Sequence, residues 1–530
     1  MNSVEDFDII IIGAGLSGIA ALTQIRQELP NYRVAVFEKG DHVGGTWAKN
    51  TYPGLSCDIP SQVSHARLFR LALYSYSFAP NPDWSEVYAS QPEILAYIEG
   101  VVSRFDLPGR IHLEQECTAA EWLDHEFRWR ISFIDRLSGR GYVKHARFLI
   151  TAVGFCDVPN GAEDIQDVEN FAGRIFHSAN WDHAFDFRDK NVVVVGNGCS
   201  ANQFVPHLLK HAAIRSMVQV MRSPHWIAPQ DNHPSPAWQK WLFRSFPTTN
   251  RIWRFFLAAK LDLAFPAFTT STLGTLLRKA LQTHLTAYIP RTAPPAYHSI
   301  LLPSFPFGAK RPVLDHGYLA AFHNPKMKLL RSPSLSVTGP GELQTEDGTT
   351  FPTDVLILAN GFKTQELLTP MTITGLDGAE LPAAWQLEGK VPEAYMGVCV
   401  PSFPNLFLLT GPNTLPSGHS TLSGIECSVT YILRLLRPLV QGPPAATTKG
   451  VEMATDRVKI SVHPTAHHHF NERIQRRLQR LVYTADVRSW YVDWRSGRNT
   501  LVWPGTQGGF WWGRCVEGVR WGDFDVVRKA

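Results

Sequence analysis

The sequence predicts an α/β fold built on two parallel-sheet nucleotide-binding units, and three observations carry that prediction. Two separate stretches read as apolar strand, glycine-rich turn, helix and second strand. The chain has 530 residues, enough for two or three domains at roughly 100–200 residues each. Its composition, 44% hydrophobic and 18% charged, is that of an ordinary globular protein.

The first unit opens with Asp8-Ile9-Ile10-Ile11-Ile12, apolar without alternation, as a strand buried on both faces must be. Gly13-Ala14-Gly15-Leu16-Ser17-Gly18 follows, then a helical pattern through Leu22 and Ile25. The second strand, Arg33 to Phe37, ends at Glu38. This is the context that makes G-x-G-x-x-G a dinucleotide turn. Gly13 permits the tight turn, Gly15 lets backbone approach a pyrophosphate, and Gly18 lets helix and strand pack closely. The helix N-terminus faces the phosphates, and the Glu38 carboxylate can accept hydrogen bonds from a ribose.

The second unit starts at Asn191-Val192-Val193-Val194-Val195, with the turn Gly196-Asn197-Gly198-Cys199-Ser200-Ala201. Ala201 stands where the third glycine would, a substitution the pattern admits. The next strand, Met217 to Met221, ends in Arg222-Ser223 instead of an acid. An acid there would accept from a free 2′-hydroxyl, whereas an arginine can grip a 2′-phosphate bidentately. The second nucleotide is therefore read as NADPH. With FAD on the first turn, hydride would pass from nicotinamide to flavin.

Several classes are set aside. A net charge of +4 without a Lys/Arg block gives no support for nucleic-acid binding. The seven cysteines, 57, 117, 156, 199, 399, 427 and 515, form no C-x-x-C pair. That argues against a local redox dithiol, a disulfide framework or structural zinc, and for a reducing compartment. A strand beginning at residue 8 leaves no room for a secretory signal, so a cytoplasmic location is expected. The most apolar stretch, 252–268, is interrupted by Arg254, Lys260 and Asp262 and is read as part of a helical lid flanking the substrate entrance, with contact to a membrane surface the less favoured alternative. His467-His468-His469 cannot share one helix face, and no metal site is expected.

The segment Phe171-Ala172-Gly173-Arg174-Ile175-Phe176-His177-Ser178-Ala179-Asn180-Trp181-Asp182 resembles the F-x-G-x-x-x-H-x-x-x-W-[P/D] fingerprint of Baeyer–Villiger monooxygenases. Gly44-Gly45-Thr46-Trp47 with Tyr52-Pro53-Gly54-Leu55-Ser56-Cys57-Asp58 resembles that family's second fingerprint. The similarity runs from about Phe7 to about Pro504 and has the look of fungal enzymes of specialised metabolism. It implies two Rossmann-like dinucleotide-binding domains: a discontinuous FAD domain (1–160 and 386–530) and an inserted NADPH domain (161–385) with a helical excursion around 236–300. It also implies insertion of one oxygen atom of O₂ into a small-molecule ketone through a C4a-peroxyflavin, giving an ester or lactone. N- or S-oxygenation, or a non-oxygenating NADPH oxidase, is the alternative.

By the same resemblance Arg311 is the active-site arginine, with Asp58 beside it to orient it and temper its charge. A guanidinium suits this role because it stays cationic and can stabilise developing negative charge without a proton transfer. Thr46, Trp47, Asp58 and Tyr74 are implied in flavin binding, Lys310 joins Arg222 and Ser223 at the 2′-phosphate, and Trp490 reaches the NADP ribose. Ala359-Asn360-Gly361-Phe362 resembles the linker that returns to the FAD domain, and His177 is read as a structural tie in the linker. The active site is expected where Asp58, Arg311 and the loop 414–420 converge. Two departures stand out. Residues 62–72 look inserted beside the flavin site, and Val153-Gly154-Phe155 lacks the polar residue commoner near the first linker.

Overall fold

The computed structural model describes residues 6–59, 74–416, 420–441, 457–484 and 487–529. The inserted-looking stretch 62–72 and part of the loop 414–420 lie outside the described residues.

The first unit is a nine-stranded sheet with a parallel centre. Strand β1 (Asp6–Ile12) pairs in parallel with β2 (Val34–Phe37) on one side and β3 (Gly141–Thr151) on the other. Ile9, Ile10 and Ile11 have no exposed surface, so the unbroken apolar run reflects helix or sheet cover on both faces. Helix α1 (Leu16–Glu28) follows the first glycine turn. The long strand β3 shares one edge between two partners. Its first half meets an antiparallel strand, Arg128–Asp135, and its last three residues pair in parallel with Leu406–Leu408.

The second unit is a five-stranded parallel sheet. Strand β4 (Asn191–Val195) lies between β5 (Ser216–Met221) and β6 (Val355–Leu358). Met327–Arg331 and Arg174–His177 form its edges. Helix α2 (Cys199–His211) follows the second glycine turn. Three longer helices leave this unit: α3 (Ala237–Ser245), α4 (Pro247–Leu263) and α5 (Thr272–Thr292). No described helix is long and apolar enough to cross a membrane.

Two linkers join the units and pair with each other. Asn160 N donates to Gly361 O at 2.9 Å, and Lys363 N donates to Val158 O at 2.9 Å. The chain re-enters the first sheet earlier than residue 386. Thr372–Thr374 already pairs with Ala119–Glu121, and Glu380–Leu381 extends that edge. Strands of two or three residues have no period to read, so neither pairing is legible in the sequence.

Candidate active site

The first glycine turn is dictated by contact distances. Gly13 has φ +103°, and a Cβ there would sit 2.8 Å from the Ala152 carbonyl oxygen. A Cβ on Gly18 would come within 1.9 Å of the Gly13 carbonyl oxygen. Gly18 thus seats α1 against β1, and the cavity described below is lined by its neighbour Ser17 and not by Gly18 itself. Gly15 faces Gly45, whose Cβ would approach the Gly15 Cα to 2.9 Å, so two glycines make a thin wall. Glu38 is fixed at the turn: Ala14 N donates to one carboxylate oxygen at 2.7 Å and Gly40 N to the other at 2.8 Å. A carboxylate has about four acceptor positions, so capacity for ribose hydroxyls remains.

The second turn repeats the design. Gly196 has φ +106°, and a Cβ there would lie 2.4 Å from the Ala359 carbonyl oxygen. A Cβ on Gly198 meets nothing within 4 Å, because this residue opens onto the cavity. Asn197 lines the cavity as well, with its amide nitrogen 3.1 Å from Met221 Sδ. Cys199 and Ser200 join them there, while Ala201 is fully buried in the core and touches no cavity. As the third position of its turn it packs helix on strand.

One cavity of about 1300 Å³ passes both turns. Thr46, Trp47, Asp58 and Tyr74 lie in its wall on the first-unit side, and Trp47 Nε1 donates to the Tyr74 hydroxyl at 2.7 Å. Arg222, Ser223, Lys310 and Arg311 lie in the same wall. Lys310 Nζ donates to Ser223 Oγ at 2.7 Å and is largely buried. Burial, and then the charge of Arg222, push its ammonium down to about 8. Burial and Arg488 likewise lower Arg222. Three cations face one another here, an arrangement relieved by a bound anion.

Arg488 is a member of this cluster that the sequence did not offer. It is an isolated residue of a loop, close in space to Arg222 through the fold alone. Two positions on, Trp490 stacks on Phe155 with ring centroids 5.9 Å apart and planes at 20°. Phe155 belongs to the departure Val153-Gly154-Phe155, so an aromatic contact stands where a polar one was missing.

At the chemical centre, Arg311 and Asp58 are both half-buried and electrostatically coupled. Burial works against the Arg311 charge. Its neighbours, led by Cys199 and then Asp58, hold its pKa above the ordinary arginine value all the same. Burial would raise the Asp58 carboxyl, but a hydrogen bond from His316 and the charge of Arg311 hold it below the usual range. Asp58 and Arg311 feel each other's charge, while the carboxylate's hydrogen bonds run elsewhere. Among the described residues the carboxylate is engaged instead by Gln203 Nε2 at 3.0 Å and by His316 Nε2 at 3.4 Å. Gln203 sits on α2, where helical phase aims it at the Asp58 loop; it also donates to the Ser56 carbonyl oxygen at 3.0 Å. Asp58 acts on Arg311 through space, and Gln203 and His316 are the residues that position it.

His177 makes the structural tie. Ala179 N donates to its Nδ1 at 3.0 Å, so the proton sits on Nε2, which donates to Gly361 O at 3.1 Å. Burial pushes its imidazole down to about 4, so it is neutral in the folded protein near pH 7. Among the described residues no cluster of three or more His, Cys, Asp or Glu side chains could hold a metal ion.

Residues 11–74 match the NAD(P)-binding Rossmann-like domain family. A Baeyer-Villiger monooxygenase of Streptomyces coelicolor is 31% identical over 530 residues, covering 99% of this chain and 94% of the relative. One of Pseudomonas aeruginosa is 32% identical, covering 94% and 87%. An FAD-binding monooxygenase of Aspergillus niger is 30% identical, covering 97% and 81%. Among solved structures, closed cyclohexanone monooxygenase superposes with a TM-score of 0.80 at 24% identity over 99% of this chain and 100% of its own. OTEMO in complex with FAD and NADP gives a TM-score of 0.80 at 24% identity, covering 98% and 99%. The likeness to these two structures is one of fold.

Proposed function

The chain belongs to the Baeyer–Villiger monooxygenase family, and from that premise we propose that it is an FAD- and NADPH-dependent monooxygenase that inserts one oxygen atom of O₂ into a ketone to give an ester or lactone. The observation that carries this reading is the single cavity that meets both glycine turns and has a half-buried, persistently cationic arginine in its wall.

The residues present fit the two cofactors. Gly13, Gly15 and Glu38 would hold the FAD pyrophosphate and ribose, with Thr46, Trp47, Asp58 and Tyr74 further along the same wall. Gly196, Gly198 and the α2 N-terminus would hold the NADPH pyrophosphate, and Arg222, Ser223 and Lys310 its 2′-phosphate. Trp490 would meet the nicotinamide-side ribose. On this assignment the FAD domain comprises residues up to about 160 and from about 372 onward, and the NADPH domain lies between. When bound and reduced, the flavin supplies the O₂ activation that no side chain here can supply.

The chain's own contribution is electrostatic and steric. Arg311 stabilises the negative charge that develops on oxygen as a ketone carbonyl is attacked, without giving up a proton. Asp58, held by Gln203 and His316, keeps that guanidinium partly neutralised so that the empty pocket does not carry a bare buried charge. The aromatic wall of Trp47, Tyr74 and Trp490 keeps water from the reacting atoms.

Purified holoprotein given NADPH and a panel of ketones should yield products heavier by one oxygen atom, with one NADPH consumed per product. Oxygenation of sulfides or amines in place of ketones, or peroxide as the sole product, would refute the reading. Arg311→Ala should still permit flavin reduction by NADPH while ester yield falls by about 10²-fold or more, the usual loss when one preorganised charge is removed. Unchanged ester yield from that variant would exclude the role given to Arg311.

A further inference from the structure

The helical excursion has an outer face that the proposed chemistry leaves unused. Phe243 and Leu257, on the inner sides of α3 and α4, pack against Ile59, the neighbour of Asp58. Arg254 is turned inward to the Ser75 hydroxyl at 2.9 Å, and Arg278 to the Ala267 carbonyl oxygen at 2.9 Å. The opposite sides carry large apolar groups in water. Trp241, Phe255, Phe256, Leu263, Leu273 and Leu276 are all between 57% and 80% exposed. Asp262 accepts from the backbone nitrogens of Gln507 and Gly508 at 2.8 Å each, which brings Trp511 and Trp512, both about half exposed, to the edge of the same face.

Charge on this excursion is one-sided. Between Pro236 and Leu301 the sequence has eight Lys and Arg and one acid, Asp262, which is the residue already engaged. Arg244 is held by Asp83 at 2.7 Å, and Arg251, Lys260 and Lys279 are exposed beside the apolar groups. Exposed aromatic and leucine side chains interleaved with cations, on helices too short or too charged to span, are what an interfacial helix presents to a bilayer surface. A second copy of this face would bring like charge against like charge, whereas anionic lipid headgroups complement it.

We propose that the outer face of α3, α4 and α5, with Trp511 and Trp512 at its margin, docks the enzyme on an anionic phospholipid bilayer surface. Reading from sequence favoured a lid over membrane-surface contact for this stretch; the exposure of these side chains is what supports contact. Docking is independent of which compound is oxygenated, and its readout needs no turnover.

The test is pelleting of the FAD-loaded full chain with vesicles of phosphatidylcholine alone or mixed with phosphatidylglycerol. Co-sedimentation with the mixed vesicles, weakened by salt and absent with phosphatidylcholine alone, is the expected result. Arg251→Glu with Lys260→Glu should lower the bound-to-free ratio by at least about tenfold. Trp241→Ser with Phe255→Ser and Phe256→Ser should abolish pelleting, while the flavin spectrum and NADPH oxidation rate stay at wild-type values. Absence of the wild type from the mixed-vesicle pellet overturns the proposal, as does equal pelleting with both compositions. A dimer in light scattering that the serine variant converts to monomer, without vesicle binding by either, also overturns it and gives the face to a second copy.

Discussion

Lys310 holds a charge that its surroundings discourage, and the consequence can be measured. With its pKa lowered to about 8 by burial and by Arg222, the ammonium is charged below that pH and neutral above it. A 2′-phosphate is bound best by the charged form, so discrimination between NADPH and NADH should decline as pH rises through about 8. Lys310→Arg, whose cation does not titrate in this range, should keep discrimination flat over the same interval. Steady-state KM values for the two nucleotides from pH 7 to about 9.5 decide the matter; a flat wild-type profile would count against the placement of Lys310. Residues such as Arg222 and Glu38 were legible because each directly follows a strand that a glycine turn had already marked. Gln203, His316 and Arg488 were not. Each is a lone polar residue in its own stretch of sequence, and only the folded chain brings it to Asp58 or to Arg222.

At the level of single elements, the glycines divide into two kinds that sequence alone does not separate. Gly18 and Gly198 both belong to dinucleotide turns. A Cβ on Gly18 meets the backbone of Gly13 at 1.9 Å, while one on Gly198 meets nothing within 4 Å. Gly18→Ala should therefore destabilise the first unit by about 1–3 kcal/mol or more and lower its FAD content. Gly198→Ala, whose φ is −74°, should leave the melting temperature unchanged and weaken NADPH binding alone. Differential scanning fluorimetry with a nucleotide titration reads both. A stable Gly18→Ala protein with full flavin would show that helix and strand can separate without harm. The paired β-α-β units were legible as elements because an unbroken apolar strand and a 3.6-residue helical period are strong local signals. The strands Thr372–Thr374 and Glu380–Leu381 escaped notice because they are defined by partners, not by pattern. The outer face of the excursion was equally hidden, since an apolar helix position reads the same whether a core covers it or water does.

For the whole molecule, the two linkers run side by side between the nucleotide units, and His177 fastens to one of them through Gly361. The sign of its pH effect follows from a pKa lowered from its ordinary 6.5 to about 4. The unfolded chain takes up the proton first, so the stability linked to neutral His177 is present above about 6.5 and is lost as pH falls toward 4. His177→Gln, which can keep a donor and an acceptor in place, should flatten part of the fall in melting temperature between pH 6.5 and 4. Because His225 is depressed in the same way, the comparison is made variant against wild type across the whole range. Coincident curves would mean that the linker histidine bears none of the acid sensitivity. The overall architecture was legible in outline from motif order, and its seams were not, because a linker has no periodicity to betray where it starts.

The shared edge of β3 carries a consequence for how the chain is made. The last three residues of that edge wait for Leu406–Leu408, and the Asn405 side chain beside it receives a hydrogen bond from Ile460 N at 2.9 Å. The unit holding β3, made before the middle one, thus remains with an open slot until more than two hundred further residues have emerged. Strands β4 to β6 and their edges lie within one continuous stretch and can close as soon as that stretch is complete. Birth order and folding order are therefore inverted. The nascent protein passes through a stage in which a finished middle domain is flanked by an unfinished sheet with an unpaired edge, the stage at which chaperone protection matters most.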